Sequence, residues 1–266
     1  MTRIMKDIEE RYSENTKVAS PLYMGMYTQK LDILALGAHP DDTELGCSGT
    51  IAAHVAAGKR VGIIDFTRGE LGTRGTPELR EQEAEVSRKL QQVVVRENLG
   101  FADGFFANDE EHQLALARVI RKYQPDIVLA NATEDRHPDH GRAAALTRSA
   151  CFVAGLRRVE TTDGGHTQTA WRPRRLYHYV QNSYVQPDFI VDISDYWTTK
   201  LNAIMSFKSQ FGRHETDEPE TYLTTPIFMK FIEARAQELG HAIGVAYGEG
   251  FTAAQPIGVK QLDDLY

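Results

Sequence analysis

A short, largely apolar run that ends in a His-Pro-Asp-Asp loop is the feature that most constrains this chain of 266 residues. Residues 31–38 form the run, the loop occupies 39–42, and a helical pattern of small residues follows at 46–57. This order is typical of a buried parallel strand, a tight loop and a helix that packs on the sheet. Open α/β sheets bind their ligands at the carboxyl ends of such strands, where this loop lies.

A second loop of the same kind, Arg-His-Pro-Asp-His at 136–140, follows another apolar stretch at 127–130. A single His-Pro-Asp-Asp loop is most simply a turn whose aspartate caps the next helix. Two such loops, each at the end of a parallel-type strand, can meet over one edge of the sheet. Two independent turns do not explain that convergence, so the pair favours a functional site.

The residue types in the two loops match the ligands of a divalent metal ion. His39 and Asp42 offer a nitrogen and an oxygen ligand, and a catalytic Zn²⁺ usually takes three protein ligands. His140 is the preferred third ligand, because it stands at a helix start as Asp42 does. Asp41 is then free to take a proton from water. Fe²⁺ also suits two histidines and one aspartate.

Two further residues of the second loop have predicted roles beside the metal. His137 remains free if His140 is the ligand, and as an imidazolium it can stabilise an oxyanion or protonate a leaving amine. Asp139 can orient one of the histidine rings, as carboxylates near metal sites often do.

Arg80 is the exception in the acidic first half of a predicted helix that begins at Pro77, with Thr76 as N-cap. One interpretation is a surface ion pair with Glu83, three residues further along. The other is a guanidinium that points into the site and holds an oxygen-rich substrate. Arg68 and Arg74, in the preceding glycine-rich loop, compete for that role, and spacing alone does not choose among the three.

Composition excludes several classes of protein. The net charge of -7 gives no basic footprint for nucleic acid. No apolar run is long enough to span a bilayer, and no signal-peptide pattern opens the chain, so we expect a cytoplasmic protein without a membrane partner. Two cysteines, Cys47 and Cys151, provide neither a disulfide framework nor a cysteine-type zinc site.

The alternation of strand and helix patterns predicts an α/β fold, a Rossmann-like doubly wound, mostly parallel sheet flanked by helices. We expect a single domain at 30–266, preceded by a flexible extension at 1–29. The other predicted elements are strands at 61–66, 176–180 and 189–193, helices at 77–96, 111–123, 141–155 and 226–240, a helix capped by Asp195 that runs through 208, a short link at 99–106 with a brief strand, a polar loop at 211–225 that serves as a lid or assembly contact, and a tail at 244–251.

These motifs resemble those of the LmbE-like, or PIG-L-type, metal-dependent N-deacetylases. The resemblance runs over about 31–251 and is carried by segments 38–46, 70–80, 136–140 and 244–251. It implies a Rossmann-like fold and a homo-oligomer, with a hexamer suspected. The residue roles that it implies are zinc ligation by His39, Asp42 and His140, general base catalysis by Asp41, an electrostatic or acid role for His137, and substrate contact by Arg80 rather than by the loop arginines.

The implied reaction is hydrolysis of the acetamide of a small-molecule amino sugar. Within the family the chain looks most like the members that deacetylate N-acetylglucosaminyl-malate in bacillithiol biosynthesis. One alternative is an amidase that acts on bacillithiol S-conjugates. A non-catalytic sugar- or nucleotide-binding Rossmann module is a second, although no G-x-G-x-x-G follows the first strand. A structural oligomer in which zinc is only a staple is a third.

Overall fold

The structure is a computed structural model that describes residues 30–212 and 218–262. The extension predicted at 1–29 and part of the loop predicted at 211–225 lie outside the described residues.

Seven strands form one central sheet in the order β3-β2-β1-β4-β7-β9-β8. The first five of these pair in parallel, whereas β9 runs antiparallel to both of its neighbours. The predicted α/β class with a mostly parallel sheet is therefore confirmed. The strands are β1 (Ile33–Gly37), β2 (Val61–Thr67), β3 (Val95–Phe101), β4 (Ile127–Ala130), the two-residue strands β5 (Thr162–Asp163) and β6 (His166–Thr167) of a separate hairpin, β7 (Arg175–Tyr179), β8 (Phe189–Asp192) and β9 (Gly248–Ala253).

Helices flank the sheet. Among the helices in the described parts of the chain, none has the length and apolar composition of a membrane-spanning segment. They are α1 (Asp42–Ala56), α2 (Pro77–Gln91), α3 (Glu110–Tyr123), α4 (Pro138–Ala154), α5 (Trp197–Met205), α6 (Lys208–Phe211) and α7 (Pro226–Ala242), with short 3₁₀ turns at Ser194–Tyr196 and Tyr222–Thr224.

Strand β1 lies in the middle of the parallel strands and is buried along its whole length. Leu34 and Leu36 pack into one apolar cluster, whereas Ile33 and Ala35 pack into another. The alternation follows from the two-residue period of a strand, and it shows that both faces of the sheet are covered. The loop after β1 therefore starts from a rigid, doubly packed element.

The predicted end of the second helix was wrong, because α2 ends at Gln91 and not near 96. Gln92 adopts a left-handed backbone conformation (φ 55°) that terminates the helix. The three valines at 93–95 have branched side chains that favour extended backbone, and β3 begins with the last of them. Residues 95–101, of which only the last three belong to the predicted link with its brief strand, thus form a seven-residue edge strand paired with β2.

Other elements also differ from the prediction. Helix α1 begins at Asp42, four residues earlier than predicted, and its backbone is broken at Cys47. Asp195 lies inside a 3₁₀ turn and does not cap α5, which begins at Trp197. The C-terminal tail supplies strand β9, because its backbone pairs with both β7 and β8.

A buried ion-pair network fixes the first turn of α1 to the sheet. Arg96, on the edge strand β3, donates to Glu44 (Nη1–Oε1 2.6 Å) and to Asp65 on β2 (Nε–Oδ2 2.7 Å). Ser87 of α2 also donates to Glu44 (2.6 Å). Burial alone would raise the pKa of Glu44, but the charge of Arg96 outweighs it and holds the pKa below its usual value.

Replacement of Arg96 by methionine removes the cation from this network. Because Glu44 and Asp65 then remain buried without a positive charge beside them, we expect Arg96→Met to lower the free energy of unfolding by about 3–5 kcal/mol. Urea titration followed by circular dichroism measures the change. As a control, Lys89→Met removes only an exposed pair with Glu85 and should change stability by less than about 0.5 kcal/mol. Equal stability of the two variants would contradict the role of the network.

Candidate active site

The two histidine loops leave the sheet side by side. Strands β1 and β4 are parallel neighbours, so their carboxyl ends lie at the same edge. Asn131, the first residue after β4, joins the loops. Its Oδ1 accepts from the backbone N–H of Ala38 (3.0 Å), and its Nδ2 donates to Asp42 Oδ2 (3.0 Å). The sheet therefore sets the separation of the two loops.

The three residues predicted as metal ligands lie together in the structure. His140 Nε2 is 3.1 Å from Asp42 Oδ1, and His39 Nδ1 is 3.5 Å from Asp42 Oδ2. The ring centroids of His39 and His140 are 5.8 Å apart, and all three side chains are buried. One ion can therefore be reached by a carboxylate and by two imidazoles that lie far apart in sequence.

The remaining nitrogen of each imidazole is bound by carboxylates. His39 Nε2 is 3.0 Å from Asp103 Oδ1 and 3.3 Å from Asp139 Oδ2. His140 Nδ1 is 2.5 Å from Asp135 Oδ2. Metal-binding histidines commonly have this arrangement, which orients the ring and raises the basicity of the ligating nitrogen. The nitrogens that face Asp42 are left for a metal, so the residues present fit a divalent ion.

The charges around the His39 and His140 rings also favour a divalent cation at this site. Burial alone would lower the pKa of His140, but the negative charge of Asp42 and the hydrogen bond to Asp135 raise it to about 9. Burial would likewise raise the pKa of Asp42, yet His140 and His39 hold it well below its usual range. The protein thus surrounds two imidazoles with negative charge, an environment that suits a divalent cation. Two imidazoles and one carboxylate are suitable ligands for Zn²⁺ and for Fe²⁺.

Asp41 does not behave as a helix cap, although it stands at the N-cap position of α1. Its side chain makes no capping hydrogen bond, and its backbone has a positive φ of 116°. Such strain in a residue other than glycine is often found at functional sites. The Asp41 carboxylate lies in the cavity and accepts from Arg80 Nη2 (3.1 Å). Burial raises the pKa of Asp41 to about 7, although the charge of Arg80 opposes the rise.

Arg80 is buried in the cavity wall and is not part of a surface ion pair. Its guanidinium donates to the carbonyl oxygens of Pro40 and Gly69 as well as to Asp41. Glu83, the surface partner considered above, accepts instead from Ser209. Within residues 30–212 and 218–262, Arg80 Nε has no hydrogen-bond partner. The guanidinium therefore positions Asp41 and keeps one donor uncommitted.

The two loop arginines differ from each other. Arg68 is half exposed, donates to Glu78 on the outside of α2 (3.0 Å), and does not line the cavity. Arg74 lines the cavity, and its guanidinium donates to the Ser209 carbonyl oxygen (3.0 Å). Arg80 and Arg74 are thus the arginines of this group that a substrate can meet.

His137 lies beside the proposed ligands, with its ring centroid 4.7 Å from that of His39. Its Nδ1 accepts from the backbone N–H of Asp139 (3.2 Å), so the neutral ring carries its proton on Nε2. Burial and the nearby charges of His39 and His140 lower the pKa of His137. The structure therefore favours a neutral hydrogen-bond donor here, which differs from the imidazolium expected from the sequence.

A cavity of about 350 Å³ opens over these residues. His39, Asp41, Asp42, His137 and His140 lie in its polar wall. An apolar wall faces them, formed by Leu71, Tyr222, Leu223, Phe228 and Ile232. The volume suits a small molecule that has polar and apolar parts.

Four polar residues of this site were assigned no role from the sequence. Asn131 and Gln181 both donate to Asp42, Asp103 binds His39, and Asp135 binds His140. Asn131, Gln181 and Asp103 each stand one or two residues after a parallel strand. A polar residue at that position was the available signal, since the carboxyl ends of parallel strands share one edge.

Comparison with known proteins identifies the family. The PIG-L model, described as GlcNAc-PI de-N-acetylase, matches residues 34–151, which include both histidine loops. Diacetylchitobiose deacetylase from Thermococcus kodakarensis is 30% identical over 207 residues, which cover 73% of this chain and 75% of that protein. The chain belongs to the PIG-L family. The resemblance noted in the sequence is thereby confirmed at the level of the family.

Other relatives show how widely this fold is used. The 4-oxalmesaconate hydratase from Pseudomonas putida is 25% identical over 247 residues, 87% of this chain and 92% of that protein. The crystal structure of the conserved protein TT1542 from Thermus thermophilus superposes with a TM-score of 0.77 at 36% identity, covering 87% of this chain and 98% of that one. Membership of the PIG-L family thus establishes the fold, whereas relatives of this chain are named for different reactions.

Removal of one ligand tests the metal site directly. If His140 is a ligand, His140→Ala should retain less than roughly a tenth of the zinc bound by the unmodified protein, because a catalytic site has only three protein ligands. Inductively coupled plasma mass spectrometry after equilibration with Zn²⁺ and desalting gives the stoichiometry. His54→Ala is the matched control, since His54 lies in the last turn of α1 and outside the cavity. Equal zinc content in both variants would exclude His140 as a ligand.

Proposed function

We propose that this protein is a metal-dependent N-deacetylase that hydrolyses the acetamide of an N-acetylglucosaminide to acetate and a free amine. The observation that carries the proposal is the convergence of His39, Asp42 and His140 in one cavity, with Asp41 beside them and not used as a cap. We propose these three side chains as ligands of Zn²⁺, with Fe²⁺ as the alternative ion. Membership of the PIG-L family supports the reaction class.

Asp41 is the proposed general base. The bound ion would supply Lewis acidity toward the acetyl carbonyl and toward water. The Asp41 carboxylate takes the proton of the attacking water, and its hydrogen bond from Arg80 holds it in place for that step. When the C–N bond breaks, protonated Asp41 returns this proton to the amine. The overall reaction consumes one water and forms acetate and a protonated amine.

His137 is the proposed donor to the oxygen of the tetrahedral intermediate. Its Nδ1 is occupied as an acceptor, so the Nε2–H is the group available to the substrate. A donor whose orientation is fixed before reaction stabilises developing negative charge at little reorganisation cost. Asp139 supports the arrangement twice, because its backbone N–H fixes His137 and its carboxylate lies against His39.

Within this class, we propose N-acetylglucosaminyl-malate, of bacillithiol biosynthesis, as the substrate. The resemblance of the sequence motifs to those of the corresponding deacetylases supports this choice. Three arginines, Arg74, Arg80 and Arg136, line the cavity, and guanidinium groups bind carboxylates such as those of a malyl group in a two-pronged geometry.

Two other reactions are compatible with the same residues. An amidase that acts on bacillithiol S-conjugates would use the same water and the same base on a larger amide. A hydratase is the second candidate, because the match to 4-oxalmesaconate hydratase spans 92% of that protein. Addition of water to a carbon–carbon double bond also needs an activated water.

A substrate panel separates these candidates. Purified, zinc-loaded protein is incubated with N-acetylglucosaminyl-malate, diacetylchitobiose, a bacillithiol S-conjugate and 4-oxalmesaconate. We expect acetate release from the first compound at the highest kcat/KM, and slower release from the second. Hydration of 4-oxalmesaconate without acetate release from either N-acetyl sugar would overturn the proposal. Preference for the S-conjugate would replace the deacetylase with the amidase.

Asp41→Asn tests the general base in isolation. Because the variant keeps the proposed ligands, we expect it to bind zinc fully, while kcat for acetate release falls roughly 10²- to 10⁴-fold. Asp163→Asn, in the exposed β5–β6 hairpin, is the control and should retain full activity. Metal content and steady-state kinetics are measured on the same preparations. Turnover of Asp41→Asn at the rate of the control would rule out Asp41 as the base.

A further inference from the structure

Helix α1 is two helical segments joined at a break. Cys47 has non-helical backbone angles (φ -148°, ψ 16°), so the short turn that carries Asp42 is separated from the rest of the helix. A break in a helix leaves carbonyl oxygens on one side and N–H groups on the other without helical partners. In a buried helix these groups need other partners.

Lys200 binds the carbonyl oxygens on the N-terminal side of the break. This residue of α5 is only 2% exposed. Its ammonium group donates to the carbonyl oxygen of Leu45 (2.7 Å) and to that of Glu44 (3.1 Å). A cation at the C-terminal end of a helical segment also interacts favourably with the helix dipole.

Glu249 binds the free backbone N–H groups on the C-terminal side of the break. This residue of β9 is 4% exposed, and its two carboxylate oxygens accept from the backbone N–H groups of Gly49 (3.0 Å) and Thr50 (2.7 Å). A carboxylate at the N-terminal end of the second segment again suits the dipole. Lys200 Nζ and Glu249 Oε1 are 2.7 Å apart, so the two side chains form one unit across the break.

We propose that Lys200 and Glu249 are positioning residues for the metal site. Neither lines the cavity, and neither contacts a proposed ligand through its side chain. Their contacts are to backbone groups of Glu44, Leu45, Gly49 and Thr50, which follow Asp42 in the same helix, so they fix the direction of the turn from which its carboxylate reaches His140. Without them the Leu45 carbonyl oxygen and the Gly49 and Thr50 N–H groups must find new partners. The Arg96–Glu44 ion pair still holds the turn to the sheet, but its direction relative to the rest of α1 is no longer fixed. The inference rests on the proposed function only in that Asp42 binds the metal.

The energetics of a buried ion pair favour a role of Lys200 and Glu249 in positioning the backbone over a role in net stability. A buried ion pair adds little net stability compared with apolar residues of similar size, because both charges lose their hydration. Here each charge binds backbone atoms on its own side of the break at Cys47, Lys200 before it and Glu249 after it. The pair therefore stabilises one particular backbone shape close to the ligand Asp42.

The test measures zinc affinity of the metal-free protein by competition with a chromophoric chelator. Glu249→Gln keeps the shape of the side chain and removes its charge, and Lys200→Met removes the ammonium group. We expect each variant to bind Zn²⁺ at least about 10-fold more weakly, the loss typical when groups that orient metal ligands are removed. Since the two residues act as one unit, the double variant should lose little more than the weaker-binding single variant.

Arg121→Met is the matched control for general loss of stability. Arg121 is 3% exposed and donates to the carbonyl oxygens of Ala154, Leu156 and Val159, at the far end of α4 and beyond it. It should lower the Tm without changing the dissociation constant for zinc, when affinity is measured well below the Tm of every variant. If Lys200→Met does not fold, the isosteric Glu249→Gln decides alone.

The outcomes separate this inference from the proposed function. Wild-type affinity in Glu249→Gln, or an equal loss in Arg121→Met, would overturn the positioning role and leave the proposed deacetylase intact. An unmodified protein that binds no zinc would overturn the proposed function itself. Excess Zn²⁺ should restore most of the acetate release of Glu249→Gln, whereas it should not rescue Asp41→Asn.

Discussion

The carboxylate of Asp42 is the point on which the site depends. Its Oδ2 accepts hydrogen bonds from the backbone N–H of His39 and from the Asn131 side chain. Its Oδ1 accepts a hydrogen bond from Gln181 and lies 3.1 Å from His140 Nε2. These partners follow three adjacent parallel strands, β1, β4 and β7. A single side chain thus joins the ends of three strands. Because each strand is held by the ladder of its neighbours, the proposed ligands are placed by the sheet and not by flexible loops.

Further charged side chains surround Asp42 and the residues next to it. Asp103, Asp135 and Asp139 bind the outer nitrogens of the two imidazoles, while Arg80 neutralises Asp41. The carboxylates that face imidazoles raise the basicity of those rings, whereas the Asp41 carboxylate faces the cavity. Asp41 and Asp42 are consecutive residues with opposite shifts in pKa, because one is desolvated beside a single guanidinium and the other lies between two imidazoles.

The sequence predicted the parts of this structure that are encoded locally. The two loops stood out because His, Pro and Asp occur together after apolar strands, and Thr76 was recognised as an N-cap from its place before Pro77. Elements that depend on distant pairing were missed. Strand β3 carries an Arg and a Glu near its start, so its pattern is not strand-like. Its extended form becomes clear only when Arg96 is seen to reach Glu44 and Asp65 beneath it.

Pairing between distant residues also explains why the sequence did not indicate the roles of Lys200 and Glu249. Nothing near Lys200 or Glu249 in the sequence reveals that the two meet across 49 residues, since their shared partner is the backbone of a broken helix. Relatives named as a deacetylase and as a hydratase each match most of this chain, so similar sequences are named for different reactions. The apolar wall that faces the polar residues of the cavity comes from a separate part of the chain and includes Tyr222, Leu223 and Phe228. Leu223 and Phe228 of this wall belong to an apolar cluster that includes Ala84 of α2, Ile204 of α5 and Leu45 of α1. Because Leu45 lies three residues after Asp42 in the same helix, a change in this wall can reach the turn that carries the proposed ligand.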